Sequence, residues 1–300
     1  MKERIFYLGP TVLLVLALTG CCKSLGPLTP STSTTPIINT DLCFVGPNYA
    51  AMQIFKVHAD GSGLTALTPT SWSVYRPSWN PNKTKIAFGC PSGLPQQGNI
   101  YVMNADGTGV TVLTDVGGYA PAWSPDGTKI AFITFSEQLW VVNADGTQEH
   151  QLNQAVSNVG YLALAWSPDS QKVVYNVTGG TQIMNIEGNI VANIPSVMEY
   201  IDWSPDGTQF VYAQYTETIG TLNYWQVFKA NTDGSWVTQL TFTPGSHGGP
   251  CWSHDGSKIV FTNLDDLLTT PNMCTMNPDG SDIQPLPNAS IHYCYQPCWH

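Results

Sequence analysis

One segment recurs five times in this chain and begins a sixth time. It comprises an aromatic-led Trp-Ser-Pro-Asp-Gly turn, two short apolar runs, an Asn-x-Asp-Gly turn and a last run closing near Leu-Thr. The lead tryptophans are Trp79, Trp123, Trp166, Trp203, Trp252 and Trp299, spaced by 44, 43, 37, 49 and 47 residues. A period of this size marks propeller blades, because one unit cannot bury its apolar faces alone and stacked neighbours can. The repeat therefore constrains the fold more tightly than any compositional feature.

In the clearest copy, residues 121–123 read as a short strand and residues 124–127 (Ser-Pro-Asp-Gly) as a tight turn. Residues 129–133 and 139–142 are β-branched and aromatic strands, residues 143–146 are a second turn, and residues 150–152 are a fourth strand. Pro presets φ and Gly supplies positive φ at such turns. Each unit is thus an antiparallel meander of strands a, b, c and d. Pro77, Pro121, Pro250 and Pro297 each stand two residues before a repeat Trp, inside strand a. Proline cannot donate to a ladder, so strand a is expected at a sheet edge bordering a central channel.

Counting strand classes separately gives six d strands, ending at Leu67, Leu113, Leu152, Ile194, Leu240 and Leu286, and six b strands. The a strands number six only when the one at Trp299 is included. The chain opens with b, c and d (residues 42–44, 54–57 and 64–67) and closes with a lone a. The fold class expected is all-β, a six-bladed β-propeller closed by the C-terminal strand a joining N-terminal strands b, c and d. Closure removes two exposed sheet edges.

The net charge is −10, from 21 acidic and 11 basic residues. That excludes nucleic acid and anionic headgroups as partners, since both need a basic surface. Lys2 and Arg4 precede an apolar stretch over residues 5–18 that is too short for a typical membrane span. It ends Leu18-Thr19-Gly20-Cys21, which resembles a bacterial lipobox. The expected organisation is a lipoprotein signal peptide at 1–20, lipidated Cys21 and a flexible Ser/Thr/Pro-rich tether at 21–40, and the propeller at 41–300. Cys rather than Asp at position 22 implies the outer membrane, facing the periplasm, with the lipid anchor as the one membrane contact. A monomer is expected.

Disulfides are permitted in that compartment. Aligning the repeats sets Cys298 where Ala122 stands and Cys43 where Ala131 stands, as neighbours across the a–b hairpin of the closing blade. A Cys43–Cys298 disulfide is one reading of that juxtaposition, buried free thiols being the other. No Cys-x-x-Cys pair occurs and the six histidines show no ligand spacing, so neither a metal nor another cofactor is expected.

The run Trp-Ser-Pro-Asp-Gly-Thr-Lys-Ile-Ala-Phe from Trp123 to Phe132, followed by Val-Asn-Ala-Asp-Gly from Val142, resembles the repeat of TolB-type β-propellers. Trp79-Asn-Pro-Asn, Trp166-Ser-Pro-Asp-Ser, Trp203-Ser-Pro-Asp-Gly and Trp252-Ser-His-Asp-Gly are further copies. The resemblance covers residues 42–299. It implies a WD-like repeat protein of the cell envelope that binds a lipoprotein partner through a propeller face, without catalysis.

The recurrent aspartates, such as Asp126, Asp145, Asp206, Asp255 and Asp279, read as turn residues bonding their own backbone. A unique site is expected instead where blades deviate from the repeat. Tyr75, Arg76, Tyr119, Tyr161, Glu199, Tyr200, His247 and Tyr295 deviate near the start of strand a, and together they would ring one funnel for an envelope protein or a glycan. Asp202 occupies a position held elsewhere by Ser, Ala or Cys, and either accepts a structural hydrogen bond or faces an ion. Long b–c loops at 89–98, 213–224 and 262–272 are expected on the funnel side. The rival reading is a propeller enzyme, a polysaccharide lyase or glycosidase-like protein, assembling Glu199, Asp202, His247 and Arg76.

Overall fold

The computed structural model describes residues 41–48, 51–58, 60–92, 98–152, 159–217, 223–242, 245–264, 272–286 and 295–298. The signal segment, Cys21, the tether and Trp299 lie outside these residues. Six four-stranded antiparallel sheets follow one another around an axis, and the described residues contain no helix. Blade 1 is built from both chain ends, in the order Tyr295–Cys298, Asp41–Asn48, Ala51–His58, Thr65–Ala66. The terminal strand pairs antiparallel to the opening one, with Cys43 opposite Cys298 and Val45 opposite Tyr295. The predicted ring closure is therefore present.

Each blade is too thin to hold a core of its own, and the apolar residues form six clusters, one at each blade–blade interface. Five of them are organised around a repeat tryptophan. Trp123 of blade 3 packs against Ala87, Ile100 and Val102 of blade 2 and against its own Ile130 and Phe132. Trp203 meets Val174, Ile183 and Ile194 of blade 4, and Trp252 meets Val211, Val227 and Leu240 of blade 5. The sixth cluster seals the ring, with Leu42, Phe44 and Val57 of blade 1 against Val260, Met273 and Leu286 of blade 6. At about 25 cal/mol per Å² of apolar surface, each such layer contributes several kcal/mol that an open ring loses at one seam.

The turns lock the same interfaces. The a–b and c–d turns share one side of the ring, called here the turn side. The b–c hairpin ends and the d-to-a connections share the other, the loop side. Gly107, at φ 85° in a c–d turn, comes so close to blade 1 that an added Cβ would lie 2.5 Å from the Leu67 carbonyl oxygen. Only glycine satisfies both the left-handed backbone and that approach.

Two features depart from the sequence expectation. Strand a is the expected edge strand of every sheet, but it is bulged, its register shifting between Tyr75 and Ser78, Tyr119 and Ala122, Glu199 and Asp202, and Gly248 and Cys251. Pro77, Pro121 and Pro250 fall inside these bulges, where a missing N–H removes nothing from the ladder. The second departure is at residues 213–224, expected as a loop. Strands Gln209–Glu217 and Asn223–Asn231 pair through to Glu217 opposite Asn223. The Tyr215 and Trp225 rings sit directly across that pair, 5.4 Å apart, and such cross-strand aromatics stabilise a hairpin beyond its turn.

The register at the seam yields a first prediction. Protein purified under oxidising conditions is expected to give a Cys43–Cys298 cross-linked peptide in a non-reducing map. The chain-entropy account assigns such a long-loop bond about 4–5 kcal/mol at most. Recovery of both positions in separate peptides would contradict it.

Candidate functional site

The strand-a segments of blades 2 to 6 line a cavity at the axis that measures about 200 Å³. Its wall includes Trp79, Trp123 and Trp166, prolines of strand a and of the a–b turns, and six polar side chains: Arg76, Ser78, Ser124, Tyr200, Asp202 and His254. The bulges explain why these residues reach it. In four blades the residue three before the Trp takes a left-handed backbone, with φ of 48° at Arg76, 54° at Ala120, 52° at Tyr200 and 57° at Gly249. Such values are uncommon outside glycine, so three blades hold a strained residue at the same inner position.

Arg76 belongs to blade 2 and Tyr200 to blade 5, which lie opposite one another in a ring of six. Their side chains meet, the Arg76 guanidinium carbon standing 5.8 Å from the Tyr200 ring centroid. This cation–π contact spans the channel and contributes about 0.5–2 kcal/mol depending on desolvation. Burial draws the guanidinium pKa below its ordinary value, and Tyr200 opposes that shift.

Asp202 resolves one of the alternatives left by the sequence. Its Oδ2 accepts the backbone N–H of Trp252 in the next blade at 2.8 Å. Ser78 does the same for Trp123, its Oγ accepting that N–H at 2.9 Å. Both residues occupy the position before the repeat Trp, so Asp202 ties blade 5 to blade 6 in the way that Ser78 ties blade 2 to blade 3. His254, which also lines the cavity, was missed by sequence reasoning. It stands where Pro81, Pro125, Pro168 and Pro205 stand in other blades, and that deviation was there to be found.

The other residues read as one funnel separate into distinct places. Tyr75 is exposed on the loop side, with its Oη 3.4 Å from the Ser73 hydroxyl. Tyr119 packs against Phe135 with ring centroids 5.6 Å apart. Glu199 is partly buried, and its Oε2 is fully enclosed without a hydrogen-bond partner. Burial pushes its carboxyl up to about 7. Tyr200 continues outward through Trp225, 6.3 Å away, to Tyr215, so an aromatic run leads from the axis to the tip of blade 5. His247 is 1% exposed and lies edge-on to Phe261 at 5.9 Å, inside the blade rather than at a mouth. The backbones of Tyr161 and Tyr295 lie in strand a of blades 4 and 1; their side chains are outside the described set.

The repeated aspartates behave as turn residues. Asp206 Oδ1 accepts from the Ser204 hydroxyl at 2.6 Å and from the Thr208 N–H at 3.0 Å, and those bonds hold its pKa below the usual range. Asp255 is held low by the equivalent Ser253 and Ser257 contacts. Among the described residues, no three His, Cys, Asp or Glu side chains converge as a metal set.

The TolB beta propeller domain model matches residues 39–299. No curated protein sequence matches the chain. Among solved structures, TolB from Acinetobacter baumannii superposes with a TM-score of 0.72 at 18% identity, covering 89% of this chain and 68% of that one. A nidogen/laminin complex gives 0.63 at 12% identity, covering 86% and 97%. An oligogalacturonate lyase in complex with manganese gives 0.54 at 14% identity, covering 83% and 73%. At these identities the likenesses establish the propeller fold.

Two predictions follow from the site. Glu199 has a folded pKa raised above its unfolded value, so its neutral form favours folding below about pH 4.5 and that advantage is lost as pH rises through 7. Glu199→Gln is therefore expected to raise the melting temperature at pH 8 by about 2 °C or more, with the gain vanishing near pH 4. A pH-independent difference would contradict the assignment. Asp202→Ala leaves the Trp252 N–H unsatisfied and is expected to destabilise by about 1–3 kcal/mol in urea titration. A change below about 0.5 kcal/mol would show that the inter-blade bond is unimportant.

Proposed function

The chain belongs to the TolB β-propeller domain family, and from that premise we propose a non-catalytic binding module of the bacterial cell envelope. It holds an envelope protein, or a glycan, at the loop-side mouth of the channel. In this reading Cys21 carries the lipid anchor, the tether at 21–40 gives the propeller reach, and the protein works as a monomer on the outer membrane facing the periplasm. The observation that carries the reading is where the blades deviate from their repeat. Tyr75, Tyr119, Glu199 and Tyr200 stand at or near the start of strand a. Tyrosine and arginine dominate contact energy at protein interfaces, because rigid aromatic area and a planar cation bind with little entropy loss.

The enzyme reading rests on one observation, a carboxyl near pH 7 at Glu199, suited to proton transfer at neutral pH. Two arguments weigh against it. His247 is inside the blade, and Asp202 is engaged with the Trp252 backbone. Neither is disposed to act with Glu199 on a common substrate.

The test is cross-linking with the tethered protein in envelope fractions, using a photoreactive residue at Tyr75 and, as control, at Asp145 on the turn side. A discrete cross-linked species from position 75 alone is expected, reduced at least about fivefold by Tyr119→Ala or Arg76→Ala, a loss typical of hot-spot truncation. Equal cross-linking from both positions, or no effect of either substitution, would overturn it. Turnover of oligogalacturonate or peptidoglycan fragments that disappears in Glu199→Gln would establish the enzyme instead.

A further inference from the structure

From residue 41 onward the chain has eight cations, and their placement is one-sided. Lys83 and Lys85 flank the first a–b turn, Lys129, Lys172 and Lys258 sit at or next to the start of strand b, and Lys56 and Lys229 lie near the end of strand c. All seven positions are on the turn side. Arg76, the eighth, lies in the channel. The b–c and d-to-a connections contain no Lys or Arg in any of the six repeats, yet they include Asp115, Glu137, Asp265 and Asp266. Glu217 ends strand b of blade 5 and Glu199 opens its strand a, both on the same side.

Four exposed aromatic rings are on that lysine-free side, against one, Trp236 in the c–d turn of blade 5, on the turn side. Phe242 is 75% exposed, Phe135 56%, Tyr215 52% and Tyr75 38%. Tyr215 stands near the end of the longest paired hairpin among the described residues, backed by Trp225 and then Tyr200. The two sides also use their carboxylates differently. On the turn side the aspartates of the repeat are engaged by neighbouring hydroxyls and backbone N–H groups. Glu199 Oε2 on the loop side has no hydrogen-bond partner.

We infer that the loop side is a docking surface for a basic polypeptide segment, whose Lys or Arg side chains lie over the exposed rings of Tyr75, Phe135 and Tyr215 and pair with the exposed Glu137. The inference rests on the binding-module reading and adds the chemistry of the partner. Exposed rings attract cations through their π faces, and unopposed carboxylates steer and hold them. A neutral glycan would also stack on the rings, but it gains nothing from the exclusion of every lysine from this side. Charge complementarity therefore favours the basic partner.

The experiment uses the purified full chain and three probes, each labelled for anisotropy: a short lysine–glycine repeat peptide, its glutamate counterpart, and chitohexaose. The lysine peptide is expected to bind most tightly and to lose at least about fivefold in affinity between about 50 and about 300 mM salt, as screened charge pairs do. Glu137→Gln combined with Tyr215→Ala, both at exposed positions, should weaken it at least about fivefold, while Asp145→Asn on the turn side should leave it within about twofold. Equal binding of the two peptides, tighter binding of chitohexaose, or an equal loss in the Asp145 variant would overturn the inference. A partner cross-linked from position 75 whose binding is insensitive to salt would leave the binding-module reading intact and refute the basic chemistry.

Discussion

The apolar layers between neighbouring blades carry this fold, since no blade can bury both of its faces alone. Trp79, Trp123, Trp166, Trp203 and Trp252 each insert between their own sheet and the preceding one, and the last layer joins residues from the two chain ends. The structure is consequently a closed chain of dependencies rather than a sum of independent sheets. Where a propeller with a gap would expose an apolar face and two sheet edges, this one sets Val45 opposite Tyr295 and Cys43 opposite Cys298.

Because the same turns and tryptophans serve every blade, chemistry can enter only where a blade breaks the pattern. The inner strands show how. In four blades a bulge three residues before the tryptophan turns the backbone left-handed, and two of them use that position for Arg76 and Tyr200 while the other two hold Ala120 and Gly249. The opposed pair narrows the channel, and the ring of aspartates on the turn side is engaged in holding turns. The loop side thereby becomes the surface on which unspent carboxylates and exposed rings coincide.

Much of the architecture was legible in the sequence. Strand counting was enough for six blades and the closing strand, because every blade repeats the same punctuation and the surplus strand a had one available place. The Cys43–Cys298 register followed from the same alignment. The channel contact was not legible. The positions three before the tryptophans hold Arg76, Ala120, Ala163, Tyr200, Gly249 and Gln296, a set with no shared chemistry, so neither the bulge nor the meeting of two residues 124 positions apart leaves a local trace. His247 could have been placed correctly. The equivalent positions hold Val74 and Met198, both fully buried, and the repeat predicts a core site there. The blade 5 hairpin was misread as a loop because its stability comes from cross-strand aromatic pairing, which single-strand patterning does not reveal.

The central claim, that the two chain ends form one blade as sound as the others, is most directly tested by hydrogen exchange resolved at the seam. Amides of residues 43–45, 295, 296 and 298 should exchange as slowly as those of strands a and b in blades 2 to 5, all opening in a single global event. Exchange at the seam many times faster than in those blades would show an open ring, and the shared channel and loop-side surface would then lose their basis.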